Sequence, residues 1–281
     1  MKRVLVLGDE RKGGSRDLVE GFARLIGSLG IEVETVTDRD SSLEHSDADL
    51  VVVFGGDGSL LGATRRMGRN QRPVLGINLG HLGFLTAFER EDARKAVELA
   101  LAGRLVEETR LLLFASVRDA SGRESERILF MNDGVLSRAA VGGMILLRAT
   151  RNGHELASFR GDGLIVATAA GSTAYSLAAG GPVLSPDMDA LVLTPLASHS
   201  LSARPLVVPV AEGLDIEVLE GGGKRRAVLQ IDGQVRMDVP VRGAALLRPA
   251  SFRARHLGLG GERFFRVLRA KLGFAEMPRH E

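Results

Sequence analysis

The sequence predicts an α/β half joined to a largely antiparallel β half, closed by one further helix. Three observations carry this. Up to about residue 103, apolar β-branched runs alternate with amphipathic helical spacing, the pattern of a parallel sheet covered by helices. From Leu105 to about Pro249 the periodicity falls to two, and turn residues crowd in at Asp119 to Gly122, Asn152-Gly153 and Gly221 to Gly223. From Glu262 to Leu272 the helical period returns, with Phe264, Phe265, Leu268 and Leu272 able to form one apolar face.

In chain order, Lys2 to Leu7 reads as the first strand, and Ser15 to Leu29 as a helix with Leu18, Phe22, Leu25 and Leu29 on its stripe and Gly30 ending it. Ile31 to Val36, Leu50 to Phe54 and Pro73 to Asn78 follow as strands, and Glu89 to Ala102 as a helix. A short helix begins at Leu60, with Ser59 as its cap. In the second half, Glu212 to Glu220 and Arg225 to Ile231 read as a hairpin around the glycine run, and Thr173 to Ala179 as a short helix. The expected organisation is a Rossmann-like N-terminal domain over 1–104, a β-rich domain over 105–255, and a C-terminal helix within 256–281 that packs on the first domain.

Composition narrows the function classes. The 281 residues carry a net charge of only +2, with a single Tyr, no Trp and no basic stripe, so base stacking and nucleic-acid binding have little to work with. With no Cys, disulfides, thiolate metal sites and cysteine nucleophiles are excluded. The six His are scattered, which argues against a dedicated zinc site. No apolar run approaches the roughly 18 residues of a membrane span, and the chain starts directly with a strand, so a cytoplasmic protein without a membrane partner is expected.

The most informative stretch is residues 54–62, Phe-Gly-Gly-Asp-Gly-Ser-Leu-Leu-Gly, where a buried strand gives way to a helix. Gly55, Gly56 and Gly58 remove the Cβ atoms that would hold off a phosphate, and Ser59 and the helix N-terminus add donors. A carboxylate in such a cradle should repel phosphate, so Asp57 needs a reason: it accepts the proton of a hydroxyl nucleophile or helps hold a divalent cation. The plainer alternative is a tight turn whose Asp satisfies the helix dipole. Four further segments stand beside it. Asn132-Asp133-Gly134 could grip ribose hydroxyls or simply turn the chain. The run Arg160 to Ser176 leads a buried strand into a hydroxyl-rich glycine turn, with Ser172 or Thr173 as a plain cap in the alternative. His199, in Ser198 to Pro205, could carry a proton or bond a loop. Gln230 to Gln234 could present Asp232 and Gln234 to a base or ribose, or form a hairpin turn.

Together these segments resemble the NAD kinases, also called polyphosphate/ATP-NAD kinases. The Gly-Gly-Asp-Gly-Ser of 55–59 is similar to the family's glycine loop, and Asn78-Leu-Gly-His-Leu-Gly-Phe-Leu85, Gly161 to Pro182 and His199 to Pro205 are similar to further family elements. The likeness extends to Phe265 to Leu272. The chain departs from the family pattern at Asp133 (usually Glu), at Ala169 and Ala170 (usually Pro and Thr), at Ser198 (commonly Pro), and at Gly143, where a basic residue is frequent. The resemblance implies phosphoryl transfer from ATP or polyphosphate to the 2′-hydroxyl of the adenosine ribose of NAD, giving NADP, with Asp57 as general base. It implies that Mg²⁺ or Mn²⁺ arrives with ATP rather than on protein side chains. The implied NAD-binding set is Asp57, Gly58, Asn132, Asp133, Arg160, Asp162, Thr173, Ala174, Tyr175, Ser176, Leu177, Ala178, Ala197 and Gln234, in a homodimer or homotetramer. Two other readings remain open on sequence: a lipid or sugar kinase sharing the glycine loop, and a dinucleotide-binding regulator without catalysis.

Overall fold

The computed structural model describes residues 1–9, 15–80, 83–139, 143–200, 202–221, 226–260 and 262–273. His81, Leu82 and Leu201 of the family-like segments, and Gly222 and Gly223 of the glycine run, lie outside them. In chain order the elements are β1 (Arg3–Leu7), α1 (Ser15–Gly27), β2 (Glu32–Val36), β3 (Leu50–Phe54), α2 (Asp57–Arg66), β4 (Pro73–Asn78), β5 (Phe88–Glu89), α3 (Ala93–Leu101) and β6 (Val106–Arg110). Then come β7 (Leu113–Arg118), β8 (Ile128–Phe130), β9 (Asp133–Arg138), β10 (Ile145–Arg151), β11 (His154–Gly161), β12 (Gly163–Thr168) and α4 (Tyr175–Ala178). The chain finishes with β13 (Ala190–Leu196), β14 (Leu206–Pro209), β15 (Leu214–Gly221), β16 (Arg226–Ile231), β17 (Val235–Pro240), β18 (Ala244–Pro249), β19 (Ala254–Gly258) and α5 (Glu262–Leu272).

Two compact units result: 1–109 with 254–281, and 110–253. The sequence boundary at 105 and this division differ by one strand, because β6 joins the edge of the first unit's sheet beside β19. That sheet runs β2-β1-β3-β4-β19-β6, and its β1, β2, β3 and β4 pair in parallel. All five residues of β3 are buried, as its unbroken apolar run requires for a strand covered on both faces. Val4, Val6, Val52, Phe54, Leu75 and Ile77 form one core with α1 and α3. The buried line of α1 is Val19 and Ile26, with Phe22 stacked 4.8 Å from Phe54, whereas Leu29 is exposed beyond the helix end. The expected stripe was therefore rotated, because β-branched Val19 and Ile26 fit the sheet and the leucines flank them.

In the second unit two antiparallel sheets, β11-β10-β15-β18-β7-β8 and β14-β13-β12-β9-β16-β17, share one core. Leu147, Ile216, Val218 and Leu247 of the first sheet meet Leu164, Val166, Leu193 and Leu229 of the second. The outer face of the second sheet has its own apolar cover, Ile165, Ala167, Ala169, Leu184 and Val192, which is why β12 is buried throughout. This corrects the expected hairpin: β15 pairs with β10 and β18, and β16 with β9 and β17. Alternating apolar residues on both strands face each other across the sandwich, so the chain changes sheets between them instead of turning back within one.

Three helix expectations also shift. The helix drawn from Glu89 starts at Ala93, after the short strand β5 and a 3₁₀ turn at Arg90–Asp92. The helix at Thr173 is a 3₁₀ turn, Ala170–Thr173, followed by the single turn α4. The α2 helix begins at Asp57 with Gly56 as its cap, and the Ser59 hydroxyl is buried without a partner, so Ser59 is not the cap. Among the described residues no helix is long and apolar enough to cross a membrane. The α5 helix spans its expected range and belongs to the first unit, with Val267 and Leu268 as its buried residues.

Candidate active site

In the first unit the glycine loop leaves the C-terminal end of β3, the edge of a parallel sheet where ligands bind. Gly55 is tied by its N–H to Ile77 O (2.9 Å), which holds the loop beside the end of β4. Among the described residues none crowds Gly56: a Cβ there would have its nearest neighbour, Asn78 Oδ1, 4.0 Å away. The open space is what a ligand approaching the backbone needs, and Gly58 is exposed at the start of α2, where the helix dipole favours an anion.

Asp57 is half-buried, and its carboxylate turns to the 84–86 segment. Oδ2 accepts the Phe84 N–H (2.9 Å), while Oδ1 accepts the N–H groups of Leu85 and Thr86 (both 3.1 Å) and the Thr86 hydroxyl (3.3 Å). Gly83 is needed for this approach, since a Cβ there would collide with Asp57 Oδ1. The carboxylate therefore has an architectural task that the sequence did not disclose. Its load is uneven, three donors on one oxygen and one on the other. Since each carboxylate oxygen offers about two lone pairs, Oδ2 keeps one for a further proton.

In the second unit the segment 131–133 is gripped from two sides. Asp232, in the β16–β17 turn with φ +48, accepts the N–H groups of Met131 (3.2 Å), Asn132 (2.8 Å) and Asp133 (3.2 Å). On the other side Thr168 donates its N–H to Asn132 O (2.9 Å) and its hydroxyl to Met131 O (2.5 Å). Gly171 approaches so closely that a Cβ would run into the Asn132 carbonyl. The segment borders a cleft of about 320 Å³ lined by Asn132, Asp133, Ala174, Tyr175, Gln230 and Asp232 among others. The Asn132 Oδ1 atom is buried without a hydrogen-bond partner, an acceptor waiting for a donor. Burial, and secondarily the charge of Asp232, push the Asp133 carboxyl up to about 7.

The family model of the ATP-NAD kinase N-terminal domain matches residues 19–105, and that of the ATP-NAD kinase C-terminal domain matches residues 131–257. The chain belongs to the ATP-NAD kinase family. An NAD kinase of Desulforamulus reducens is 38% identical over 244 residues, covering 87% of this chain and 83% of the relative. An NAD kinase of Cupriavidus pinatubonensis is 40% identical over 99% of this chain and 93% of its own length. Among solved structures, an NAD kinase from Archaeoglobus fulgidus in complex with ATP aligns with a TM-score of 0.78 at 26% identity, over 96% of this chain and 98% of that one. Yeast NADH kinase complexed with NADH aligns with a TM-score of 0.89 over 100% of this chain and 90% of its own; at 23% identity it shows the fold.

Set against this ATP-NAD kinase chain, the residues expected from sequence fall into groups. Asn132, Asp133, Ala174 and Tyr175 share the 320 Å³ cleft. Asp162, Tyr175 and Ala197 border a second depression of about 490 Å³, together with Ser137 and Arg138. Arg138 was missed; its guanidinium lies 2.7 Å from Asp162, and β9, buried over four consecutive residues, shows no alternation that would have marked it. Arg160 turns instead to Glu220 (2.8 Å) and lines neither depression. Ser176 is fully buried and bonded to the Thr194 hydroxyl (2.8 Å), and the Thr173 hydroxyl bonds Ala170 O (3.3 Å). Leu177 is half-buried and Ala178 exposed on α4. Gln234 is exposed beyond the turn, and Gln230 and Gly233 line the cleft in its stead. Asp232, expected to face a base or ribose, borders the cleft and also holds the three amides. His199 is exposed, and its N–H donates to Arg160 O (2.9 Å), so its backbone ties a loop.

Proposed function

We propose that this chain transfers the terminal phosphoryl group of ATP to the 2′-hydroxyl of the adenosine ribose of NAD, forming NADP, with Asp57 as the base. Family membership supports the reaction; the observation that carries the role of Asp57 is its lightly loaded Oδ2 at the head of α2. A ribose hydroxyl is a poor nucleophile at neutral pH, and a positioned acceptor for its proton contributes roughly a hundredfold to ten-thousandfold in rate. The amides fixed on Oδ1 hold the carboxylate in one rotamer, so that the free lone pair of Oδ2 points in one direction. The open backbone at Gly56 and the dipole of the α2 terminus, where Gly58 is exposed, receive phosphate oxygens. In the second unit the cleft at Asn132 and Asp133 takes ribose hydroxyls, with Asn132 Oδ1 accepting one, and Tyr175 offers a half-exposed ring to an adenine face.

A divalent cation, Mg²⁺ or Mn²⁺, would arrive with ATP and would neutralise charge on the transferred group. Among the described residues no group of three or more His, Asp or Glu is arranged as a protein metal site. The same reading places the enzyme in the cytoplasm as a homodimer or homotetramer. The test is Asp57→Asn: NAD affinity by calorimetry should stay near the parent's, while NADP formation falls by about two powers of ten or more. Unchanged turnover would remove Asp57 from the role of base. Running the parent with ATP and with inorganic polyphosphate resolves the donor.

A further inference from the structure

We propose that Arg263, in the first turn of α5, is a positioning residue for the Asp57 carboxylate and acts through the 83–87 loop. The loop is held between two opposite charges. On one side its Phe84, Leu85 and Thr86 N–H groups donate to Asp57. On the other side the Arg263 guanidinium donates to the carbonyl oxygens of Ala87 (3.2 Å), Phe84 (3.4 Å), Gly83 (3.4 Å) and Thr86. The peptide groups between carboxylate and guanidinium are thus polarised in one sense, each ion strengthening the bonds made to the other. A planar fork of donors can span four carbonyls, whereas a lysine ammonium acts as a single point charge.

Two features argue that this placement is specific. A cation in the first turn of a helix opposes the helix dipole, so Arg263 occupies a position that local electrostatics disfavours and that the loop carbonyls must offset. The α5 helix is also anchored without it: Val267 and Leu268 are 2% and 3% exposed, the Phe264 ring lies 6.3 Å from that of Phe84, and Lys271 Nζ stands 5.1 Å over the Phe84 ring. Arg263 can therefore be changed while the helix stays docked.

The inference rests on Asp57 being the base. Full-length enzyme is assayed with ATP and NAD as parent, Arg263→Gln, Arg263→Lys, Asp57→Asn and the Asp57→Asn/Arg263→Gln double variant. Arg263→Gln should lower kcat roughly tenfold or more, as a displaced reacting group does, with KM for NAD and the melting midpoint close to the parent's. Arg263→Lys should recover only part of the loss. If Arg263→Gln melts well below the parent, Arg263→Lys carries the test. In the Asp57→Asn background, Arg263→Gln should cost less than about twofold more, because both act on the same step. Parental kcat in both Arg263 variants, or a loss that multiplies in full onto that of Asp57→Asn, overturns the inference and leaves Asp57 as base. A slow Arg263→Gln beside a fully active Asp57→Asn overturns the base reading instead.

Discussion

Asp57 and Asp232 make the same grip in different surroundings. Each accepts three consecutive backbone amides, 84–86 in one case and 131–133 in the other. Asp232 is only 9% exposed in a hairpin turn, and its charge falls on a buried neighbour, Asp133. Asp57 heads a helix, half-open to solvent, with one oxygen lightly used. A carboxylate that organises a loop is thus not disqualified from chemistry; what separates the two is the side left facing outward.

The same substitution at both positions is the strongest way to break this comparison. Asp57→Asn turns an amino group onto an amide, that of Phe84, but at a half-open site where water can reach, so its loss of stability should be smaller than at 232 while turnover falls by the hundredfold or more described above. Asp232→Asn keeps the tolerance for positive φ but swaps the oxygen that receives Met131 for an amino group, so chemical denaturation should show a loss of about 2 kcal/mol. A variant at 232 that loses turnover but not stability would erase the distinction. Next in size is Gly83→Ala, whose methyl group must displace the Asp57 carboxylate; kcat should fall about tenfold, as expected for a reacting group moved by a fraction of an ångström to an ångström. An active Gly83→Ala enzyme would mean that the carboxylate tolerates another position.

The smallest effect concerns Asp133. Its carboxyl sits at about 7 in the folded protein, well above its ordinary value near 4, because of burial and then Asp232. A raised value means that the folded chain holds the proton more tightly than the unfolded chain. The stabilisation is complete below the ordinary value and is lost as pH rises through about 7. Relative to Asp133→Asn, the ligand-free parent should lose a few degrees of melting midpoint between pH 6 and pH 7.5, where the linkage amounts to about 1 kcal/mol, on the scale of roughly 2–4 °C per kcal/mol. Parallel melting curves across that range would place the carboxyl in a wetter setting.

Much of the fold was legible because it is local. The five buried residues of β3, the alternation in β10 and the apolar run of β12 each announce their burial in a few consecutive letters. The glycine loop and the Asn132-Asp133 segment stood out for the same reason, although Asp133 and Gly134 open strand β9 rather than turn the chain. What escaped was long-range. Asp232 lies 99 to 101 positions from the amides it holds, and Arg263 lies 176 to 180 from its carbonyls. No local pattern encodes such partners. The misread pair β15 and β16 has the same origin: two alternating strands either side of a glycine run look alike whether they pair edge to edge or face to face. Arg160 and Arg138 show the limit at side-chain scale, since backbone register alone decided which of them borders the Tyr175 depression.

Tyr175 is the sole tyrosine of a chain without tryptophan, and it is 50% exposed where the 320 Å³ cleft and the 490 Å³ depression meet it. Excited beyond the absorption of its phenylalanines, the polypeptide therefore emits from a single point, on the rim of the cleft at Asn132 and Asp133. Nature has supplied an unlabelled optical reporter there: a stacked nucleobase would quench it, and a titration followed in a cuvette would read occupancy directly.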